Sequence, residues 1–556
     1  MVNQTEKILA VIMLLMCCLA TGMAQHGHVN PANPANADGK TALLLPGTGE
    51  SQHPVSTRSA EAQKFFNQGL ALLYGFNRDE ALRSFRRAAE LDPQAAMPHW
   101  GMAMVLGPHI NVESDGDMQP QAAYDEIQKA LSLSGVNVTA SERAYIEAAS
   151  RRFSKDPNAD RKKLDLEYSR AMGELVRRYP DDLDAATLYA ESLMNFNRWN
   201  WWSADGKPAA GTEEAISVLE SVLKRHPNHA GANHFYIHVI ESSPNPERGI
   251  NSAVNLMGAN PGLGHMVHMP GHIYLRVGDY EMAAIVNELA VNADKKYLEL
   301  VGGRESVYVA GYATHNYHFI AVARAAQGRF AAAKKAADEL SVMSLRMIAI
   351  MPEMTDYFAP MPIYVLLRFQ RWDDILDTPA PDSKLAFTTA IWRYARTLAF
   401  AAKHRTNEAR AEQQAFAVAR RAVSEKLQLS FNPAQKVLNV AELVLAARLA
   451  ADDMAAIPFW RKAVEAQDAL RFDEPPAWYY PVRESLGGAL LRTGQAAEAE
   501  TVFREDLRRN LRNPRSLFGL MESLKAQQKM TDAEWVRQEF DRAWKYAEVQ
   551  LRIENL

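Results

Sequence analysis

Seven of the 15 histidines fall between His234 and His318, a window where even spreading would place about two or three. They come in spaced groups. His234 and His238 are four apart and Glu241 follows three later. On one helix these three form a single stripe. His265, His268 and His272, at spacings of three and four, form a second stripe if the backbone is helical throughout, and His315 with His318 form a third pair. Neutral imidazoles with a carboxylate are the ligand set of Zn, Cu or Fe. Three histidines plus Glu241 and a water would resemble catalytic zinc, and seven histidines are enough for two ions. Met266 and Met269 are near enough in sequence to offer soft sulfur to Cu(I). Tyr236, Tyr274, Tyr312 and Tyr317 flank the groups and are candidates to orient water or a substrate. Asn233 and Asn316, each beside a histidine, are candidates to hold an imidazole by its outer nitrogen.

The plain structural readings stand beside these. A histidine on an apolar helix face is usually a hydrogen-bonded core residue. Glu241 fits a helix-end ion pair as well as a ligand, and the tyrosines fit hairpin packing. Pro270 either starts a helix, leaving His265 and His268 on the preceding loop, or kinks one that runs through. The run Arg198-Trp199-Asn200-Trp201-Trp202 leads into a turn at 203–208. It reads either as a wall over the histidine region or as a loop pinned by buried tryptophans. His99, His109, His226, His229 and His404 carry no assignment.

Positioning such groups requires regular elements, and the chain reads as helix after helix. Apolar residues recur at three- and four-residue spacing, as in Ala81, Phe85, Ala88 and Ala89. A fixed period underlies them. Gly69, Leu72, Ala81, Phe85, Ala88 and Pro93 place a small residue where two helices touch, then Ala, Phe, Ala and a terminating proline on the second helix. Ala215, Leu219, Val222 and Pro227 repeat the second-helix spacing. Gly271, Tyr274, Gly278, Ala283 and Ala290 give another copy, Gly328 and Ala333 a weaker one, and Leu486, Gly487, Leu490, Gly494, Ala499 and Phe503 a further one. In these residues the chain resembles the tetratricopeptide repeat superfamily over 60–106, 211–341 and 480–545, and a group of large exported bacterial members of it. The resemblance implies an all-α fold of tetratricopeptide-like hairpins stacked into a right-handed superhelix, an α-solenoid, with a concave groove for a peptide, a partner protein or a small-molecule substrate. It also implies that first helices line the groove, with ligand contacts at their second, fifth and ninth positions. With Gly271 as the eighth, His265, His268 and His272 occupy those places, and His315 and His318 occupy the second and fifth. Neighbouring first helices pack roughly 10 Å apart, so their imidazoles are expected to converge.

The N-terminus carries Lys7, an apolar run from Ile8 to Ala20 and the small residues Gly22 and Ala24. This is the layout of a signal peptide over 1–24. Cys17 and Cys18, the only cysteines, lie within it, so a chain cut after Ala24 has no disulfide, thiolate nucleophile or thiolate ligand. A lipoprotein version built on Leu14 to Cys17 fits less well because Met16 is large. The expectation is an exported protein, periplasmic or secreted, with no transmembrane span after the signal. Residues 25–58 read as a flexible linker in which His26 and His28 sit, 59–350 as the helical region with the histidines, 351–362 as a Pro/Met-rich boundary and 363–556 as a second helical region. The formal net charge of −4, without a long basic block, argues against nucleic acid. No phosphate-cradling glycine loop, dinucleotide fingerprint or nucleophile elbow is present, so no nucleotide cofactor is expected. Two function classes remain: a repeat protein whose groove holds a metal, with hydrolytic or oxidative catalysis open, and a metal-free scaffold for a partner.

Overall fold

The Ala60–Tyr74 helix starts where the Ser59 hydroxyl accepts from the Ala62 N–H, and it ends at Gly75. The chain turns through Phe76, in the left-handed region at φ 56°, and Asn77 then caps the Arg78–Leu91 helix. Phe85 projects from this second helix with no exposed surface. A Cβ on Gly69 would come within 2.7 Å of its ring, and one on Gly101, in the Met97–Leu106 helix, within 2.5 Å. The aromatic side chain is thus clasped between two first helices that only glycine lets approach. Burying such a side chain contributes about 1.5–3 kcal/mol.

The same device recurs near the C-terminus. Phe503 of the Ala496–Arg509 helix lies between Gly487 of the Arg483–Arg492 helix and Gly519 of the Pro514–Ala526 helix, with both glycines too close for a Cβ. In both copies the steps from glycine to phenylalanine to glycine are equal in sequence. Gly278, Gly328 and Gly494 hold the left-handed corner that Phe76 holds in the first hairpin.

These are features of the computed structural model, which describes residues 42–50, 52–111, 119–303, 306–349 and 351–556. It is an all-α stack of tetratricopeptide-like hairpins. Its strands, among the described residues, are the two-residue pair Gln428–Leu429 and Asn432–Pro433. Leu43–Leu556 forms one compact unit. No described helix is long and apolar enough to cross a membrane. The expected signal peptide, with Cys17 and Cys18, and the linker with His26 and His28 up to residue 41 lie outside the described residues.

The linker expectation needs correcting from residue 43 onward. The Leu45 N–H donates to Gln68, the Ser56 N–H and hydroxyl donate to Glu142, and Thr57 and the Arg58 N–H donate to Asp92. Side chains of the first hairpins satisfy this segment's backbone, so it is held rather than free. The 351–362 stretch contains the Pro352–Phe358 helix and the start of the Met361–Arg368 helix, and Phe358 and Met361 join a hydrophobic core running from Val291 to Leu556.

Candidate metal centre

Three first helices carry the histidines. The Ala230–Glu241 helix is buried along its whole length and holds His234, His238 and Glu241. The Gly264–His268 helix is followed without a change of backbone region by Pro270–Arg276, because Met269 is itself helical at φ −52° and ψ −37°. The helix therefore runs through Pro270, which removes one backbone donor, and His265, His268 and His272 stay on one path. The Thr314–Ala326 helix brings His315 and His318, and the π-helical turn Val309–Ala313 before it brings Tyr312.

The side chains gather into two trios. His234, His238 and His265 offer nitrogens within 4.8 Å of one another, and so do His268, His272 and His315. All are buried except half-buried His315. Among the described residues these rings lie inside the stack rather than on an open groove. The imidazoles are enclosed because Phe76, Trp199, Tyr312 and Phe319 pack against them.

Hydrogen bonds on the outer nitrogens fix which nitrogen is bare in four of the six rings. His234 Nδ1 lies 2.5 Å from the Tyr74 carbonyl oxygen, so it must donate. His238 Nδ1 lies 2.9 Å from Glu241 Oε1, and His272 Nδ1 lies 2.5 Å from Glu241 Oε2. Burial raises the Glu241 carboxyl, but the charges and hydrogen bonds of His272 and His238 bring it down to about 2. Its two oxygens accept from the two rings. His268 Nδ1 donates to Asn287 Oδ1 at 2.6 Å, and that amide is oriented because its Nδ2 donates to the Ala283 carbonyl.

The Nε2 atoms left over face each other. His268 Nε2 and His272 Nε2 are 2.8 Å apart, and His234 Nε2 and His265 Nε2 are 3.2 Å apart. In the first pair both nitrogens are lone-pair acceptors, which repel unless a cation lies between them. A proton carried by the His268 ring is disfavoured. Burial, followed by the neighbouring imidazole His272, pushes His268 well below its ordinary value. Burial likewise pushes His234, His265 and His315 well down. His238 Nε2 and His265 Nδ1 are buried without any hydrogen-bond partner. An unsatisfied buried acceptor costs about 1–3 kcal/mol. Two imidazole nitrogens on one ion at about 2.0–2.1 Å lie about 2.8–3.4 Å apart for angles between a right angle and the tetrahedral angle. The donor set and the spacing fit a transition-metal ion in each trio.

Several expected residues sit elsewhere. Glu241 touches the outer nitrogens rather than the side where an ion would lie, because both its oxygens are taken by Nδ1 atoms. His318 is buried but in neither trio; its ring packs on Tyr357 and Phe358, and burial brings it down to about 3. Met266 packs its side chain against Gly75. Asn233 donates to the Pro227 and His229 carbonyls and ties a loop. Tyr236 donates to Glu220 and Tyr274 points its hydroxyl at Met257. Tyr312 packs edge-on to His265, with ring centres 4.6 Å apart.

Asn316 reaches the site through a buried carboxylate: it and Tyr308 both donate to Asp294, and the Tyr308 hydroxyl accepts from the His265 N–H. Burial pushes Asp294 up to about 7 against those two hydrogen bonds. Trp201 and Trp202 pin their loop by donating to the Met194 and Val239 carbonyls, and Trp199 covers His238, so both readings of that run hold.

Sequence reasoning passed over Asn287, Tyr74, Phe76, Asp294 and Tyr308. Only Asn287 had a usable signal. It stands as far after Gly271 as Phe85 stands after Gly69 and Phe503 after Gly487. An amide at the repeat's aromatic position marks a hairpin used differently.

A third group, His53, Asp182 and Asp184, is closed by its own hydrogen bonds. Asp184 takes His53, His229 and the Tyr74 hydroxyl, and Asp182 takes the Tyr145 hydroxyl and the Ala185 N–H. No bare nitrogens face each other there, and the network pins the N-terminal segment.

No family model matches this chain, and no curated protein matches it. Solved structures similar to it are yeast Tom70, at 12% identity over 88% of this chain and 93% of that one, with a TM-score of 0.29. The human IFIT1 dimer with m7Gppp-AAAA is similar at 12% identity over 82% and 90%, with a TM-score of 0.34, and the APC/C hetero-tetramer Cut9-Hcn1 at 12% over 87% and 76%, with a TM-score of 0.32. At these values no function is carried across.

Proposed function

We propose that this chain is an exported helical-repeat protein that binds transition metal at the two histidine trios. The observation that carries the reading is the pair of Nε2 atoms of His268 and His272, 2.8 Å apart with both Nδ1 protons already committed. The outer partners support it: a carboxylate, a backbone carbonyl and an oriented amide hold the rings with their bare nitrogens inward, as supports of metal-ligating histidine do. Export rests on the residue pattern of 1–24. The buried ions would serve first as bound cofactor or cargo, with only half-buried His315 offering an approach from outside.

Metal content of the untagged protein, measured by elemental mass spectrometry beside a His234→Ala plus His268→Ala variant, tests this. Stoichiometric zinc, copper or iron that is lost in the variant is the expected result. Less than about 0.1 equivalent after incubation with each metal would leave the second reading, a metal-free scaffold for a partner protein. The exposed Met530 and Trp535 on the Met530–Ala543 helix favour that alternative.

A further inference from the structure

The two trios differ from most paired metal sites in what they lack. Among the described residues neither contains a carboxylate on the ion side, since both oxygens of Glu241 are occupied by Nδ1–H groups. Paired iron and manganese sites in helical proteins are built around glutamates that bind the ions directly. Structural zinc wants four protein ligands, and catalytic zinc adds a water to three. Here each trio supplies three neutral imidazoles. In the first, His234, His238 and His265 are all at most 3% exposed, so solvent has no place from which to complete the shell.

Charge points the same way. Two monovalent ions bring two positive charges into the buried site, whereas two divalent ions bring four. Arg276 already places a guanidinium beside the site, where it donates to the Glu241 carbonyl. The cost of burying charge rises steeply with its magnitude.

Resting on the metal-binding reading above, we infer that the trios form a paired site for two Cu(I) ions, one ion per trio, held in register by Glu241. Among the described residues, that carboxylate is the one that bonds a ring in each trio. Replacing it by glutamine leaves one acceptor oxygen and puts an N–H₂ opposite the other ring. That ring must then place its proton on Nε2 and stops being a ligand. Glu241→Gln therefore removes one ion and keeps the other, which a single site would not do.

The experiment is an anaerobic titration of the full untagged chain with Cu(I) against a chromophoric chelator, repeated with Zn(II), with helicity followed by circular dichroism. The expected result is two Cu(I) per chain, able to displace any zinc, falling to one in Glu241→Gln. His265→Phe and His315→Phe, one in each trio, should each keep one ion and serve if the glutamine variant fails to fold. His318→Phe should keep both. Two zinc ions that Cu(I) does not displace, or one Cu(I) in the parent chain, would overturn the copper pair and leave the metal-binding reading standing. Absence of both metals would remove the two readings together.

Discussion

The C-terminal hairpin and the central hairpin share one skeleton and spend it differently. Around Gly487 and Gly519 the clasped residue is Phe503, fully buried and apolar. Around Gly271 the residue at the same step is Asn287, equally buried, and a Cβ on that glycine would collide with its amide. The aromatic ring only fills space, whereas the amide fills less of it and turns an oxygen to His268. Close helix approach is therefore separable from the group that exploits it. A repeat can give up a stabilising ring at one register position and gain an oriented imidazole there.

Perturbing each hairpin separately sharpens this difference. The largest effect is expected from Phe503→Ala, which empties a clasp between two glycines. It should lower unfolding free energy by about 3–5 kcal/mol, read by denaturant unfolding, with metal content unchanged. In the central region, Glu241→Ala strips the acceptor from two buried Nδ1–H groups. A loss of about 2–5 kcal/mol should be accompanied by loss of metal from both trios. Retention of full metal content would break the assignment of Glu241 as their common support.

The most direct exchange is Asn287→Phe, which gives the central hairpin the ordinary residue. Folding should survive, since a phenylalanine fits the equivalent space beside Gly487, while metal affinity at the His268 trio should fall about 10–100-fold in competition titrations. Unchanged affinity would show that the amide merely fills the clasp.

At neutral pH the smallest effect concerns His318, buried without joining a trio. Its folded pKa of about 3 lies below the unfolded value, so the unfolded chain binds the extra proton between those values. Its contribution is fully present above about pH 6.5 and is lost as pH falls toward 3, at no more than about 1.4 kcal/mol per pH unit. His318→Phe should flatten the acid limb of a melting-temperature profile without changing metal content.

Much of the fold was legible before any coordinates. The repeated small, aromatic and proline positions forecast the hairpins, and Gly69 and Phe85 meet as their spacing required. The histidine stripes were legible as stripes, because three- and four-residue spacing puts side chains on one helix face. The roles within them were not. Glu241 and His318 carry the same spacing signals as the trio members, yet one bonds the outer nitrogens and the other packs on aromatic rings. Helical spacing fixes a face but not which atom of an imidazole points inward.

The sequence by itself determined that hairpins form, which helices carry imidazoles and that a proline lies among them, since these follow from local periodicity and backbone stereochemistry. Only the tertiary structure decided that the six rings divide into two enclosed trios. That division depends on partners far away in the chain, the Tyr74 carbonyl against His234 and Phe76 and Trp199 against His238. Such contacts arise from how the helices stack, and no spacing within one segment encodes which remote group will meet a given nitrogen.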